Sequence, residues 1–177
     1  NLQSYLSIAT FNSEAGPFLE VYIAFDANTL ILNKLNNSFY GEIDIKIEIK
    51  NVDSILYNNH FILKSPSFFL EKENNIFFFD QQRIPLSNGK YTLTVTLFDK
   101  KYPKNLKNHT KEILVDYKGG VAVSDIQLIS SFSSNNNSTN EMAKSNMLLT
   151  PFVSNYYPEN IDTLSYYFEI YNTNQFK

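Results

Sequence analysis

Hydrophobic and polar residues alternate along much of the chain, and the alternation is clearest from Gly41 to Lys50. Ile43, Ile45, Ile47 and Ile49 occupy alternate positions there, and charged residues fill the positions between them. Successive side chains of a β-strand point to opposite faces, whereas a helix would distribute these isoleucines around its circumference. The segment is therefore predicted to be an antiparallel strand with one buried and one solvated face.

A second alternating segment runs from Lys90 to Asp99 and places Tyr91, Leu93, Val95 and Leu97 on one face. Threonines fill the opposite face, as is common in strands. Weaker alternation predicts further strands at Gln3–Phe11, Phe18–Phe25, Leu30–Lys34, Ser54–Lys64, Ile76–Arg83, His109–Tyr117, Val121–Phe132, Asn146–Ser154 and Ile161–Tyr171.

The spacing of these strands predicts the fold class. Short strands with turns every roughly 8–12 residues and no helical crossover indicate an all-β, antiparallel β-sandwich. The spacing of Leu86, Gly89 and Tyr91 resembles a tyrosine corner, which favours an immunoglobulin-like sandwich. Gly89 lies in the turn before that strand, where a glycine can adopt positive φ without steric cost. A separate turn is predicted at Asp26-Ala27-Asn28, in which the Asp and Asn side chains bond the backbone.

The pair Gly119-Gly120 interrupts the strand pattern and predicts a domain boundary. Residues 1–118 are expected to form the immunoglobulin-like sandwich, and residues 121–177 to supply the first strands of a second, truncated sandwich. Three strands alone are too few for a stable sandwich. Five acidic and two basic residues after position 120 carry the net negative charge of the chain.

Composition excludes several classes of function. The absence of cysteine excludes disulfides, thiolate metal sites and cysteine nucleophiles. Fifteen basic against 18 acidic residues, with a pI near 5.4, argue against a nucleic-acid surface. No apolar run approaches the roughly 20 residues of a membrane helix.

The sequence carries no recognisable catalytic or metal-binding motif. His60 and His109 stand alone, so a structural or solvated role is expected for each. The carboxylates Glu71 and Glu73 lie in a polar segment that predicts a loop. We therefore expect a protein that is not an enzyme and that has no catalytic residues, cofactor or metal ion.

The aromatic residues are the strongest indication of binding. Because side chains alternate in a strand, Phe77, Phe78 and Phe79 cannot all face one core, so either Phe78 or the other two must meet a loop, a neighbouring domain of the same chain or a protein partner. Tyr156 and Tyr157 form a second concentration. Stacking on a glycan is possible for exposed tyrosines, although the lack of tryptophan weakens a carbohydrate platform. The sole arginine, Arg83, is expected to clamp a carboxylate through its planar fork.

Three phrases occur in order along the chain: GPFLEVYIAF at residues 16–25, DQQRIPLSNGKY at residues 80–91 and PFVSNYYPEN at residues 151–160. They resemble the N-terminal region of exported Bacteroidetes proteins whose C-terminal part carries a GWxTD signature, which this sequence lacks. The resemblance implies tandem immunoglobulin-like domains in a cell-envelope protein, located in the periplasm, at the outer membrane or on the cell surface. It implies no functional residues.

Together these observations predict a non-enzymatic protein-interaction or structural module of a bacterial cell-envelope protein or assembly. The candidate contact residues are Phe77, Phe78, Phe79, Tyr156 and Tyr157. Two alternatives remain open, a carbohydrate-binding or adhesin-like module and an accessory domain of a larger enzyme.

Overall fold

The computed structural model describes residues 1–69, 77–134, 143–154, 156–157, 159 and 161–175. Its strands are β1 (Ser4–Phe11), β2 (Phe18–Asp26), β3 (Asn33–Leu35), β4 (Ser38–Tyr40), β5 (Glu42–Lys50), β6 (Ile55–Lys64), β7 (Phe77–Pro85), β8 (Gly89–Asp99), β9 (Leu106–Val115), β10 (Ala122–Val123), β11 (Gln127–Ser134), β12 (Met147–Pro151), β13 (Ser165–Tyr167) and β14 (Ile170–Tyr171). Helical structure among these residues is limited to two 3-10 turns, Ala27–Thr29 and Thr173–Gln175.

The fold is all-β, as the alternation predicts. Among the described residues, one four-stranded sheet has the order β6-β5-β8-β9, two three-stranded sheets have the orders β1-β2-β7 and β12-β11-β13, and two-stranded sheets pair β10 with β14 and β3 with β4. Pairing is antiparallel wherever the register is defined. Antiparallel sheets of this kind are consistent with a β-sandwich, and the immunoglobulin-like topology stays a prediction.

Strand β5 lies between β6 and β8 and has the buried and solvated faces that its alternating sequence predicts. Its four isoleucines are fully buried, and Ile45 is paired with Phe61 on β6 and with Leu97 on β8. Burial of each such side chain contributes about 1.5–3 kcal/mol. On the opposite face, Asp44 Oδ1 lies 2.5 Å from Nε2 of His60, which is exposed and therefore solvated.

Strand β2 departs from simple alternation because both of its faces are buried. Leu19, Val21 and Ile23 are buried on one face, and Glu20 and Tyr22 are buried on the other. A carboxylate inside such a strand requires charged or hydrogen-bonding partners.

The contacts divide the chain into two compact units. Unit 1 contains Asn1–Tyr5, Ile23–Asp80 and Gly89–Leu114, and unit 2 contains Leu6–Tyr22, Gln81–Asn88 and Val115–Lys177. The predicted boundary between residues 118 and 121 stays a prediction, as does the truncated second sandwich.

The predicted strand Val121–Phe132 is divided into β10 and β11. Between them the Asp125 carboxylate accepts hydrogen bonds from the backbone N and the hydroxyl of Thr10, both at 2.8 Å. Side-chain bonds of this kind compete with the strand ladder.

The turn predicted at Asp26-Ala27-Asn28 is confirmed, since the Asp26 carboxylate accepts a bond of 2.9 Å from the Asn28 backbone N.

Gly89 is required for space and not for positive φ, because its φ lies outside the positive range found for Gly16, Gly119 and Gly120. A Cβ atom at Gly89 would lie 2.9 Å from the hydroxyl of Tyr91. We expect Gly89→Ala to lower the free energy of unfolding by about 1–3 kcal/mol, measured by urea denaturation.

The same substitution in a Tyr91→Phe background is the control. Removing the hydroxyl relieves the closest contact, so Gly89→Ala should cost less there than in the wild type. An equal cost in both backgrounds would show that the hydroxyl is not what Gly89 accommodates.

Candidate functional site

Strand β7 separates the three consecutive phenylalanines onto its two faces. Phe78 is 6% exposed and stacks on Phe25 with ring centroids 5.1 Å apart, whereas Phe77 and Phe79 are 54% and 49% exposed. Of the two arrangements that alternation allowed, the structure has Phe78 in the core. Phe78 is therefore mainly a core residue, and Phe77 and Phe79 are the surface candidates.

A cavity of about 560 Å³ lies beside these rings in unit 1. Phe77, Phe78 and Phe79 line it together with Leu63–Pro66 at the end of β6. We call Phe77, Phe79, Leu63 and Pro66 the aromatic surface. Hydrogen bonding fixes its rim, because the Ser65 hydroxyl accepts a bond of 2.9 Å from the Gly41 backbone N.

Strand β6 forms an edge of its four-stranded sheet. None of its ten residues is buried, and Ile55, Leu56 and Ile62 are exposed apolar side chains. A long edge strand offers backbone donors and acceptors to an additional strand.

The predicted tyrosine pair lies in unit 2, so the structure assigns the five candidate contact residues to two different units. Tyr156 is 65% exposed, whereas Tyr157 is partly buried and stacks on Phe152 at 4.2 Å. Stacking on Phe152 occupies a ring face of Tyr157, which leaves Tyr156 as the exposed member of the pair.

Unit 2 also contains a buried charged group that the sequence did not predict as a cluster. We call Glu20, Tyr22, Arg83, Gln127 and Lys144 the buried cluster. Lys144 Nζ lies 2.5 Å from Glu20 Oε2 and 2.5 Å from Gln127 Oε1. Arg83 donates to Glu20 Oε1 from Nε at 3.0 Å and from Nη2 at 2.6 Å, which confirms the predicted carboxylate clamp. The Tyr22 hydroxyl donates to Glu20 Oε2.

Local structure explains how these groups meet. Glu20 and Tyr22 share one face of β2 because they are two residues apart, and Gln127 opens β11. Lys144 precedes a tight turn in which Lys144 and Met147 exchange backbone hydrogen bonds of 2.9 and 2.8 Å. The two central residues, Ser145 and Asn146, have φ of 47° and 61°, as a two-residue hairpin turn requires.

The environment of Lys144 is aromatic and dry. Its Nζ lies 3.6 Å from the ring centroid of Phe11 and 5.4 Å from that of Tyr167. Burial lowers the pKa of Lys144 to about 8, although the charge of Glu20 acts in the opposite direction. Burial also raises the pKa of Tyr22, with the Glu20 charge as the next cause.

A second carboxylate, Glu169, holds two tyrosines in the same unit. Its oxygens accept hydrogen bonds from Tyr167 at 2.6 Å and from Tyr171 at 2.5 Å. Burial raises the pKa of Tyr167 to about 12 and raises that of Tyr171 as well, and the bonds to Glu169 add to both shifts.

These shifts predict a loss of stability in alkali. A tyrosine whose pKa is raised by folding contributes stability below its unfolded pKa of about 10, and the contribution is lost as the pH rises through the folded pKa. We expect the urea midpoint to fall above about pH 10 and the fall to be smaller in Tyr171→Phe. Tyr102→Phe is the control, because Tyr102 is an exposed residue of unit 1, and its urea midpoint should fall as much as that of the wild type. An equal fall in Tyr171→Phe would show that the Tyr171 hydroxyl does not cause the loss of stability.

Neither histidine joins a site. His109 Nε2 lies 2.9 Å from the Ser4 hydroxyl, and burial lowers the pKa of His109, with Lys107 and Lys111 adding to the effect. Within the described part of the chain, no three acidic or histidine residues are grouped to hold a metal ion. Glu71 and Glu73 lie outside that part.

The missed cluster had one indication in the sequence. Glu20 is the single charge in an apolar run from Phe18 to Phe25, and a charge in a buried strand demands a partner. The sequence around Lys144 gives no indication that this residue is buried, because its neighbours Ala143, Ser145 and Asn146 resemble a solvated loop.

No helix among the described residues combines the length and the apolar character needed to cross a membrane. Comparison with models of known protein families, with curated proteins and with solved structures finds no significant match. The resemblance to GWxTD-containing envelope proteins therefore stays a prediction.

Proposed function

We propose that the chain is a non-enzymatic interaction module of a bacterial cell-envelope protein or assembly, and that its aromatic surface binds an extended segment of a protein partner. The observation that carries this proposal is the exposure of Phe77 and Phe79 on one face of β7 beside a cavity. Phe77 and Phe79 are about half exposed to solvent, whereas Phe78 between them is buried.

Burial of the exposed rings supplies the binding energy. Removing apolar surface from water is favourable by roughly 25 cal/mol per Å², and aromatic anchors that fill pockets dominate protein interfaces. Phe77 and Phe79 are two residues apart, which matches the spacing of side chains on one face of an extended partner.

The edge strand β6 explains why an extended segment is the favoured partner. Its C-terminal residues Leu63 and Lys64 line the same cavity as Phe77 and Phe79. An added strand can bond the backbone of such an edge while its alternate side chains enter adjacent pockets. A partner with alternating aliphatic or aromatic residues fits both features.

The surface is supported by fixed neighbours, which limits the entropy lost on binding. Lys64 Nζ lies 3.6 Å above the ring of Tyr40, and Phe78 is held against Phe25. Lys64 also places positive charge at the rim, which favours a partner with an acidic residue next to its apolar ones.

Location in the envelope is supported by the three sequence phrases at residues 16–25, 80–91 and 151–160. An exported protein in the periplasm, at the outer membrane or on the cell surface accords with them. The carbohydrate-binding alternative and the accessory domain of an enzyme stay predictions without a specific structural observation in their favour.

Selection from a displayed library of random peptides tests the proposal. We expect the enriched peptides to carry alternating apolar residues and to bind Phe77→Asp and Phe79→Asp at least about tenfold more weakly than the wild type. Tyr102→Asp is the matched control, because Tyr102 is also an exposed aromatic residue of unit 1. Equal binding by all three variants, or failure to enrich any peptide, would count against the aromatic surface as a binding site.

A further inference from the structure

We propose that Lys144 and Gln127 form an intramolecular isopeptide bond, in which Lys144 Nζ is joined to the side-chain carbonyl carbon of Gln127 and Glu20 transfers the protons. This modification is independent of the proposed binding function. It requires an amine, a carboxamide and a proton acceptor in contact inside a dry site, and the buried cluster contains all three.

The contacts place the reacting groups side by side. Lys144 Nζ is 2.5 Å from Oε1 of Gln127 and 2.5 Å from Oε2 of Glu20. All three side chains are more than nine-tenths buried. The nitrogen is therefore held at the carbonyl oxygen of Gln127, one bond from the carbon Cδ that it would attack, and intramolecular reactions depend on such proximity.

No described residue hydrogen-bonds the leaving group. Gln127 Nε2 is buried and has no hydrogen-bond partner among the described residues. An unsatisfied buried amide NH₂ is costly and calls for an explanation. Its departure as ammonia removes the unsatisfied group.

Burial supplies a fraction of the neutral amine, which is the nucleophile in such chemistry. The ring faces of Phe11, Tyr22 and Tyr167 stabilise the ammonium form, as does the Glu20 carboxylate, and desolvation opposes them. Burial lowers the pKa of Lys144 to about 8, so a part of the population is neutral near neutral pH.

The reaction balances without a further reactant. Glu20 accepts a proton from Lys144 Nζ as the Nζ–Cδ bond to Gln127 forms, and the carbonyl oxygen Oε1 carries the developing negative charge. Glu20 then gives a proton to Gln127 Nε2, the Cδ–Nε2 bond breaks, and ammonia leaves. The product is a secondary amide, and the carboxylate of Glu20 is regenerated.

Arg83 and Tyr22 act as positioning residues. Arg83 holds Glu20 Oε1 through two N–H groups, and the Tyr22 hydroxyl donates to Oε2. These bonds orient the carboxylate towards Lys144 Nζ. The new bond would join the start of β11 to the turn before β12, two places that the β11–β12 register itself does not bring together, because Met147 is paired with Ser134 at the other end of β11.

Intact-mass spectrometry of the folded wild type is the test, after incubation at about pH 9, above the pKa of Lys144. We expect a mass lower than the sequence mass by one ammonia molecule. Trypsin should fail to cut after Lys144, because its amine is then part of an amide. Glu141 lies between Gln127 and Lys144 in the sequence, so a second protease that cuts after Glu141 should leave two peptides that remain joined through these two side chains. Lys144→Met and Gln127→Leu should retain the full sequence mass.

Asparagine residues can also lose ammonia by forming succinimides, so the position of the link decides the result. Glu20→Gln keeps the amine and the amide and should form the link at least about a hundredfold more slowly, with circular dichroism confirming that it is folded. Wild type that keeps its full mass, or that loses ammonia without a link between Gln127 and Lys144, would overturn the proposal. Linkage of Glu20→Gln at the wild-type rate would remove Glu20 from the reaction.

Discussion

Replacing Glu20 with glutamine is expected to lower the free energy of unfolding by about 3–5 kcal/mol. The carboxylate is fully buried and is in contact with Lys144 and Arg83. Lys144 is an ammonium as long as it is not linked to Gln127, so the comparison is made on protein whose intact mass shows no loss of ammonia. In that form the substitution preserves the shape of the side chain but leaves two cations without their counter-charge in a dry site. Urea denaturation followed by circular dichroism measures the loss.

The double variant Glu20→Gln/Lys144→Met separates charge from shape. It removes the buried ammonium as well as the carboxylate, and replacing both members of a buried ion pair is far less costly than replacing one. We expect it to be more stable than Glu20→Gln alone. If the double variant were the less stable of the two, the loss would not arise from the uncompensated charge of Lys144.

Phe78→Ala is expected to lower the free energy of unfolding by about 3–5 kcal/mol. The ring is buried and stacked on Phe25, so its removal loses apolar burial and leaves a cavity. Phe77→Ala changes the adjacent residue by the same atoms, yet its ring is about half exposed. Thermal and urea denaturation of both variants measure the difference.

Phe77→Ala serves as the matched control and should change stability by about 0.5 kcal/mol or less. Similar losses in both variants would mean that β7 does not separate the two rings onto a buried and an exposed face. The aromatic surface would then be part of the core.

The all-β fold could be predicted because the decisive strands have one wet face. In β5, charges alternate with Ile43, Ile45, Ile47 and Ile49, and the buried and solvated faces follow directly. The same argument required Phe77–Phe79 to divide between two faces, and the structure shows which way they divide. Which of the three rings is buried depends on the packing of β7 against residues distant in sequence, such as Phe25, and the sequence of β7 alone does not determine that packing.

The buried cluster could not be predicted as a site because its members are distant in sequence. Lys144 and Glu20 lie 124 positions apart, and only the fold brings their side chains into contact. The predicted single strand Val121–Phe132 is interrupted between β10 and β11 for a related reason. Asp125 bonds Thr10 instead of allowing the strand to continue, and that partner is equally remote.

Amide hydrogen exchange of the protein with and without a library-selected peptide tests the central claim most directly. If an extended partner adds to the edge beside the aromatic surface, exchange should slow in β6, Ile55–Lys64, and at the start of β7. Slower exchange confined to the region of Tyr156 and Tyr157, with β6 unchanged, would contradict the account.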